Sequence, residues 1–234
     1  MINKKKVVNY VKNKNAKLSN QKVDGFNIIF KDPFVEDIDY KNIFQHISGV
    51  LPEEYASNID IIYVGEFDYF DERKINSLYL DGAIYVSNIQ DNEEDLLDDI
   101  VHEIAHSVEK YYAEDIYADG KIEKSFLHKR DILERDLRHY GYDTTKYDFN
   151  EIEFNKELDS FLYEEVGYDK LNTFIQGLFI SEYSATSLKE YFATGFEEYY
   201  IKDRVYLKDI SPYIYDKLAS LEEKLEGEKN EIYI

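Results

Sequence analysis

The segment that most limits how this chain can fold is EEDLLDDIVHEIAHSVEKYY, residues 93–112. Its apolar residues recur every three or four positions and fall on one stripe of a helix: Leu96, Leu97, Ile100, Ile104 and Val108. Acidic residues crowd the first turn, where they stabilise the positive end of a helix dipole. The pattern predicts an amphipathic helix that packs this stripe against a core.

Shorter apolar runs before this helix predict β-strands. GFNIIFKD (25–32) and NIDIIYVGEF (58–67) are two such runs, and INSLYLDGAIYVSN (75–88) contains two more on either side of a hairpin-type Asp-Gly pair. The segment 38–51 instead has helical spacing. Beyond residue 112 the predicted helices cover 122–140, 151–166, 168–181, 187–202 and 211–226. A small sheet followed by helices predicts an α+β fold with a mainly helical C-terminal half.

The charge is unevenly placed along the 234 residues. The first 22 residues contain seven lysines and no acid, whereas the rest of the chain carries a net charge of −28. No Pro/Gly-rich linker or internal repeat divides that remainder, and its length is ordinary for one domain with a buried core. We therefore predict a lysine-rich N-terminal arm (1–22) followed by a single domain (23–234).

Two of the five histidines, His102 and His106, stand four residues apart in the amphipathic helix. At this spacing both rings can point to one position beside the helix. Glu103 lies next to them, near enough to reach a water on a metal ion without binding the ion itself. This is the H-E-x-x-H pattern of zinc metallopeptidases. The alternative is that both histidines are ordinary side chains of a half-buried helix.

A zinc ion that acts on a substrate needs a third protein ligand. Tyr112 stands where a metzincin would have its third histidine, which excludes that class. His128 lies in a heavily charged helix, where a solvated histidine is the simpler interpretation. Glu190 is the better candidate, because its apolar neighbours would hold its helix against the core. On the residues alone it competes with a capping role, since Ser187 and Glu190 also fit a capping box.

VHEIAHSVEKYY, together with a tyrosine seven positions before the glutamate in YSATSLKEYFA, resembles the catalytic domain of anthrax toxin lethal factor and the related Pro-Pro endopeptidases. The resemblance implies a zincin-like fold and a zinc peptidase of the gluzincin type. It implies that His102, His106 and Glu190 bind zinc. It further implies that Glu103 is the general base and that Tyr183 donates a hydrogen bond to the oxyanion.

That family places an edge strand, along which substrate lies, before the metal-binding helix, and residues 82–88 fit this place. The backbone of 83–87 would then bind an extended peptide by strand addition. Two residues depart from the family pattern: Ala105 stands at a position often taken by glycine, and Thr194 stands where lethal factor has a second acid. The long segment between the two motifs predicts an insertion around 114–150, either a substrate-selecting flap or additional helical packing.

The sequence thus predicts an endopeptidase that uses Zn²⁺ and acts on a peptide or protein. The acidic body repels nucleic acid phosphates and attracts basic peptides or cations, and acidity that serves solubility alone is the alternative interpretation. Two alternatives remain. One is an acidic interaction protein that mimics nucleic acid, and the other is a zincin fold without peptidase activity.

The sequence contains no apolar stretch long enough to span a bilayer. Its basic start lacks the continuous apolar run of a signal peptide. We therefore expect a soluble protein, cytoplasmic as written, or secreted if a signal has been removed. With no cysteine in the chain, disulfides and thiolate metal ligands are excluded.

Overall fold

The computed structural model describes residues 19–73 and 75–232, so most of the lysine-rich arm (residues 1–18 of 1–22) lies outside the described residues. The chain forms two compact units, one ending at Val108 and the other beginning at Glu109. The first unit contains strands β1 (Ser19–Val23), β2 (Phe26–Phe30), β3 (Ile61–Gly65), β4 (Ser77–Leu80) and β5 (Ala83–Ser87), and helices α1 (Tyr40–Val50), α2 (Glu53–Ser57), α3 (Asp68–Arg73) and α4 (Glu93–Tyr111), the last turn of α4 passing the boundary.

The five strands form one mixed sheet in the order β1-β2-β3-β5-β4. Strands β2, β3 and β5 run parallel, and β1 and β4 pair antiparallel to their neighbours at the two edges. The prediction that 82–88 is an edge strand is therefore wrong. Strand β5 pairs on both sides, with β3 and with β4, so the backbone of 83–87 has no open edge for a peptide. Strand β4 takes the edge position instead.

Burial explains this order. Residues 83–86 of β5 are all buried, whereas all four residues of β4 are only half-buried. A strand whose side chains are covered on both faces belongs inside the sheet. The hairpin turn then places the less apolar strand, which keeps Ser77 at its start, on the outside.

Two Asp-Gly turns build the two hairpins of the sheet. In each turn both residues have positive φ: 51° and 86° at Asp81 and Gly82, and 45° and 93° at Asp24 and Gly25. Such turns match the twist of antiparallel strands. The sequence predicted the β4–β5 hairpin at Asp81-Gly82 correctly. It missed the β1–β2 hairpin at Asp24-Gly25, because β1 begins at Ser19, within the segment assigned to the arm.

The amphipathic helix predicted over 93–112 is confirmed as α4. Four residues of its stripe, Leu96, Ile100, Ile104 and Val108, are completely buried. One sheet face contributes a fully buried set of aliphatic side chains to the core of this unit: Ile28, Ile62, Val64, Ile84 and Val86. The helix is long because no breaker interrupts the stripe, and packing of that stripe fixes the face on which the histidines stand.

The second unit is helical in all its regular elements among the described residues. Its helices are α5 (Ala113–Tyr117), α6 (Lys121–His139), α7 (Lys156–Ser160), α8 (Tyr168–Ile175), α9 (Leu188–Ile201), α10 (Arg204–Ile210) and α11 (Pro212–Ile232), with 3₁₀ turns at Thr144–Lys146 and Tyr183–Ala185 and a π-helical stretch at Phe161–Gly167. The predicted α+β class, with a small mixed sheet and a mainly helical C-terminal half, is confirmed.

Some helix bounds differ from the prediction. The helix expected over 151–166 begins only at Lys156, where the Asn155 side chain accepts hydrogen bonds from two backbone N–H groups of the first turn. The helix expected over 168–181 ends at Ile175, because Gly177 adopts a positive φ of 74°. The expected insertion over 114–150 contains helices α5 and α6. Over the residues that are described, no helix combines the length and apolar character needed to cross a membrane.

Candidate metal centre

His102 and His106 stand one turn apart on α4, and both are half-buried. Their ring centroids are 4.8 Å apart, and the ring planes are nearly perpendicular at 84°. Ile104 and Ala105, which lie between them, are completely buried, so the helix cannot rotate without exposing its apolar stripe. This packing keeps both imidazoles on the same side of the helix.

Glu190 stands in the first turn of α9. Ser187 caps this helix, and its Oγ accepts a hydrogen bond from the Glu190 backbone N–H at 3.2 Å. Beyond the cap, Tyr191, Phe192 and Phe196 are at most 1 % exposed. The half of the capping box formed by Ser187 is therefore present. The Glu190 carboxylate, however, belongs to a group with the two histidines.

One possible ligand atom from each of His102, His106 and Glu190 lies within 4.8 Å of the other two. Among the described residues these three form a possible metal-binding group. Ligand atoms held tetrahedrally at about 2.1 Å from a zinc ion lie roughly 3.4 Å apart. The limit of 4.8 Å exceeds this spacing by about 1.4 Å. Two imidazoles and one carboxylate also match the ligand types of a catalytic zinc site.

A buried arginine that the sequence analysis missed supports the start of α9. Arg130 on α6 is completely buried and donates hydrogen bonds to the carbonyl oxygens of Glu151, at 2.5 Å, and Thr186, at 3.2 Å. Burial lowers the pKa of Arg130 to about 10. Thr186 directly precedes the cap residue Ser187, so this arginine holds the backbone that leads to Glu190.

The sequence did contain a signal for this role. The fully buried stripe of α6 comprises Ile122, Phe126, Leu133 and Leu137, and the spacing places Arg130 on the same stripe. An arginine inside an apolar stripe is rarely buried without hydrogen-bond partners, so its position predicts buried acceptors that it must reach.

Glu103 is buried, with 5 % of its surface exposed, and strand β4 contacts both of its carboxylate oxygens. The Ser77 hydroxyl donates a hydrogen bond to Oε1 at 2.7 Å, and the Tyr79 backbone N–H donates to Oε2 at 2.5 Å. Hydrogen bonds to a charged acceptor are stronger than those between neutral groups. The carboxylate beside the two histidines therefore has a fixed position and orientation.

Two carboxyl groups near the possible metal ligands have raised pKa values. Burial raises the pKa of Asp99 to about 7, the Glu103 charge adds to the rise, and a hydrogen bond from Gln90 at 3.0 Å opposes it. Burial likewise raises the pKa of Asp159, with further contributions from Glu164 and Glu190. Burial is the main cause of both rises, and the neighbouring carboxylates Glu103 and Glu190 add to them.

Tyr183 lies in the 3₁₀ turn that leads into α9, and 38 % of its surface is exposed. Its carbonyl oxygen accepts hydrogen bonds from the Thr186 N–H at 2.9 Å and from the Thr186 hydroxyl at 2.8 Å. The turn thus has a hydrogen-bonded backbone and carries a partly exposed tyrosine residue.

Other residues considered in the sequence do not join the ligand group. His128 is exposed on α6, in agreement with a solvated histidine. Ala105, at the position often taken by glycine, is completely buried, and Thr194 is buried at 7 % exposure. Comparisons with protein-family models, with curated proteins and with solved structures returned no match. The assignment of function therefore depends on the residues and their geometry.

Proposed function

We propose that this protein is a zinc-dependent endopeptidase. The observation that carries the proposal is the group of His102, His106 and Glu190, whose candidate ligand atoms lie within 4.8 Å of one another although Glu190 is far from the histidines in sequence. Two imidazoles and a carboxylate favour zinc over Mg²⁺ and Ca²⁺, because those two ions prefer oxygen ligands alone.

When bound, a zinc ion would supply Lewis acidity that polarises the scissile carbonyl and lowers the pKa of a water molecule. Glu103 then accepts the proton of the attacking water on its carboxylate and delivers it to the leaving amine. Its fixed position on α4, directly after His102, supports this role. The hydrogen bonds from β4 hold the carboxylate in one orientation before substrate arrives.

Tyr183 is the proposed donor to the oxyanion that forms on the substrate carbonyl. Its place in a hydrogen-bonded turn, and the 38 % exposure of the residue, support this role. A phenol donor stabilises the charge that develops on an oxyanion.

Strand β4 is the proposed docking site for the peptide, in place of 82–88. Leu80 and Ala83 flank a two-residue turn, so their backbone groups are hydrogen-bonded to each other, and the same holds for Leu78 and Tyr85 two residues further on. Backbone groups alternate in direction along an antiparallel strand, so those of Ser77 and Tyr79 point away from β5. An extended peptide could pair with this outer edge.

The test combines metal binding with cleavage. Purified protein is expected to bind one zinc ion per chain and to cut members of a proteome-derived peptide library. Replacement of Glu103 by alanine should leave zinc bound and reduce turnover by at least about a thousandfold, because the variant loses both proton transfers. Replacement of Glu190 by glutamine should weaken zinc binding. The matched control is His128→Ala, which should change neither quantity. Normal cleavage by Glu103→Ala would refute the mechanism, and stoichiometric zinc without any cleavage would refute the peptidase.

A further inference from the structure

Glu103, the proposed base, is hydrogen-bonded to β4, the proposed docking strand. Alternation along β4 places the side chains of Ser77 and Tyr79 on one face and those of Leu78 and Leu80 on the other. Leu78 and Leu80 pack against the cluster of Phe67, Phe70, Ala83 and Tyr85, so Ser77 is on the opposite face, where its hydroxyl reaches Glu103.

We propose that Ser77 is a positioning residue for Glu103, an inference that rests on the proposed function. The two oxygens of the carboxylate have different donors. Tyr79 contributes a backbone N–H to Oε2, and this group can only donate. Ser77 contributes a hydroxyl to Oε1, and a hydroxyl can donate or accept depending on its rotation.

This difference assigns separate tasks to the two oxygens. Oε2 stays an acceptor throughout the reaction, because a proton there would face the Tyr79 N–H. Oε1 carries the proton that is taken from the water and passed to the leaving amine. The Ser77 hydroxyl donates to one lone pair of Oε1, which leaves the other lone pair of that oxygen to take the proton from the water and pass it to the leaving amine. The two donors thus stay on the two oxygens of Glu103 while the proton is transferred.

A peptide on the outer edge of β4 would lie next to this arrangement. The N–H of Tyr79 points away from β5 but is already used by Glu103. The peptide would then pair with the outward backbone groups of Ser77 and with the Tyr79 carbonyl. Because β4 is hydrogen-bonded to Glu103, a peptide bound along β4 has a defined position relative to Oε1.

The experiment compares Ser77→Ala, Ser77→Thr and the control Ser87→Ala on the best substrate from the peptide library. Ser87 ends the neighbouring strand β5, and its hydroxyl accepts a hydrogen bond from the Ile89 N–H rather than bonding Glu103. Loss of the hydroxyl at position 77 should lower kcat by about tenfold or more, with KM and zinc content within about twofold of the wild-type values. Threonine, which keeps the hydroxyl, should restore kcat to within about threefold. The control should keep the wild-type kcat.

A second readout does not depend on activity. In ¹⁵N-tyrosine spectra the Tyr79 amide proton should appear downfield and move upfield in Glu103→Ala, because its charged acceptor is gone. Three results would each overturn the inference while the peptidase assignment stands. They are an unchanged kcat in Ser77→Ala, a loss of kcat that threonine does not restore, and a Tyr79 amide resonance that does not shift in Glu103→Ala. If the wild-type protein cleaves no peptide, the proposed function itself fails, and the role of Ser77 fails with it.

Discussion

At the scale of single residues, α6 carries two adjacent buried basic residues, Lys129 and Arg130, which donate hydrogen bonds to different acceptors. Arg130 donates to backbone carbonyls near α9, and its planar group lies 5.0 Å from the Phe126 ring centroid. Lys129 donates to the Ile210 carbonyl at 2.7 Å and to the Ser211 hydroxyl at 3.0 Å, and lies 4.8 Å from the Tyr191 ring centroid. Neutral acceptors stabilise an ammonium less than a carboxylate would, and burial lowers the pKa of Lys129 to about 7.

The lowered pKa predicts how stability depends on pH. Between about pH 7 and the ordinary lysine pKa, the unfolded chain binds a proton at Lys129 that the folded chain does not. The contribution of this residue to the free energy of unfolding therefore rises with pH across that interval, by at most about 1.4 kcal/mol per pH unit, and is constant at lower pH. Lys129→Met removes the group and should remove this rise.

Urea unfolding at pH 6 and pH 9 measures the effect. The difference in unfolding free energy between wild type and Lys129→Met should shift in favour of the wild type at the higher pH. The matched control is Lys124→Met, an exposed lysine on the same helix, for which the difference should not change between the two pH values. A pH-independent difference for Lys129→Met would show that this lysine stays charged when buried.

At the scale of elements, helices α9 and α11 approach each other through a glycine. A Cβ atom added at Gly195 would lie 2.8 Å from Ile214 Cγ2 and 3.0 Å from its Cδ1, closer than packed atoms allow. Gly227 on α11 offers a matched control, because nothing lies within 4 Å of the Cβ that it would gain. Both residues are helical, so the two substitutions differ mainly in packing.

Opposite signs are expected for these two glycines. Gly227→Ala should stabilise the protein by about 0.5–1 kcal/mol, because alanine favours a helix over glycine. Gly195→Ala gains the same propensity but must displace Ile214, and should destabilise by about 1–3 kcal/mol. Chemical unfolding of both variants checks the comparison. A Gly195→Ala protein as stable as Gly227→Ala would mean that α9 and α11 separate easily.

Elements also mark where sequence reasoning succeeded and where it could not. The i, i+4 spacing of His102 and His106 fixes their common face inside one helix, so local geometry was enough. Glu190 was undecided between ligand and cap on spacing alone, because its approach to the histidines depends on packing far away in the chain. The edge position of β4 was missed because the hairpin pattern gives the turn but not which of its two strands pairs with β3. The hydrogen bond between Ser77 and Glu103 could not be predicted either, because it depends on the position of β4 in the sheet.

At the scale of the whole molecule, acidic charge dominates. The chain carries a net charge of −21, and the possible metal ligands lie near carboxyl groups whose pKa values are already raised. A net charge this far from zero destabilises a folded chain through mutual repulsion, and a bound divalent cation reduces that charge. Zinc also links residues distant in sequence, and the unfolded chain does not hold them together.

Metal removal should therefore lower thermal stability. At a free zinc concentration a thousandfold above Kd, binding adds about 4 kcal/mol, so a strong chelator should lower the Tm by roughly 10 °C. His102→Ala should have a lower Tm that no longer responds to the chelator, whereas His128→Ala should respond like the wild type. Differential scanning calorimetry with and without chelator provides the measurement, and equal Tm values for the wild type would count against a metal site of this affinity.

The half-buried strand β4 has one more consequence, which concerns self-association. An outer strand with unshielded amides can pair with the same strand of a second molecule, a common first step towards aggregation. The Glu103 carboxylate already bonds the Tyr79 amide, so this one donor is not open to the strand of a second molecule. An inactive protein made for substrate trapping would expose the Tyr79 amide if Glu103 were truncated, and a glutamine at that position would keep an acceptor for it.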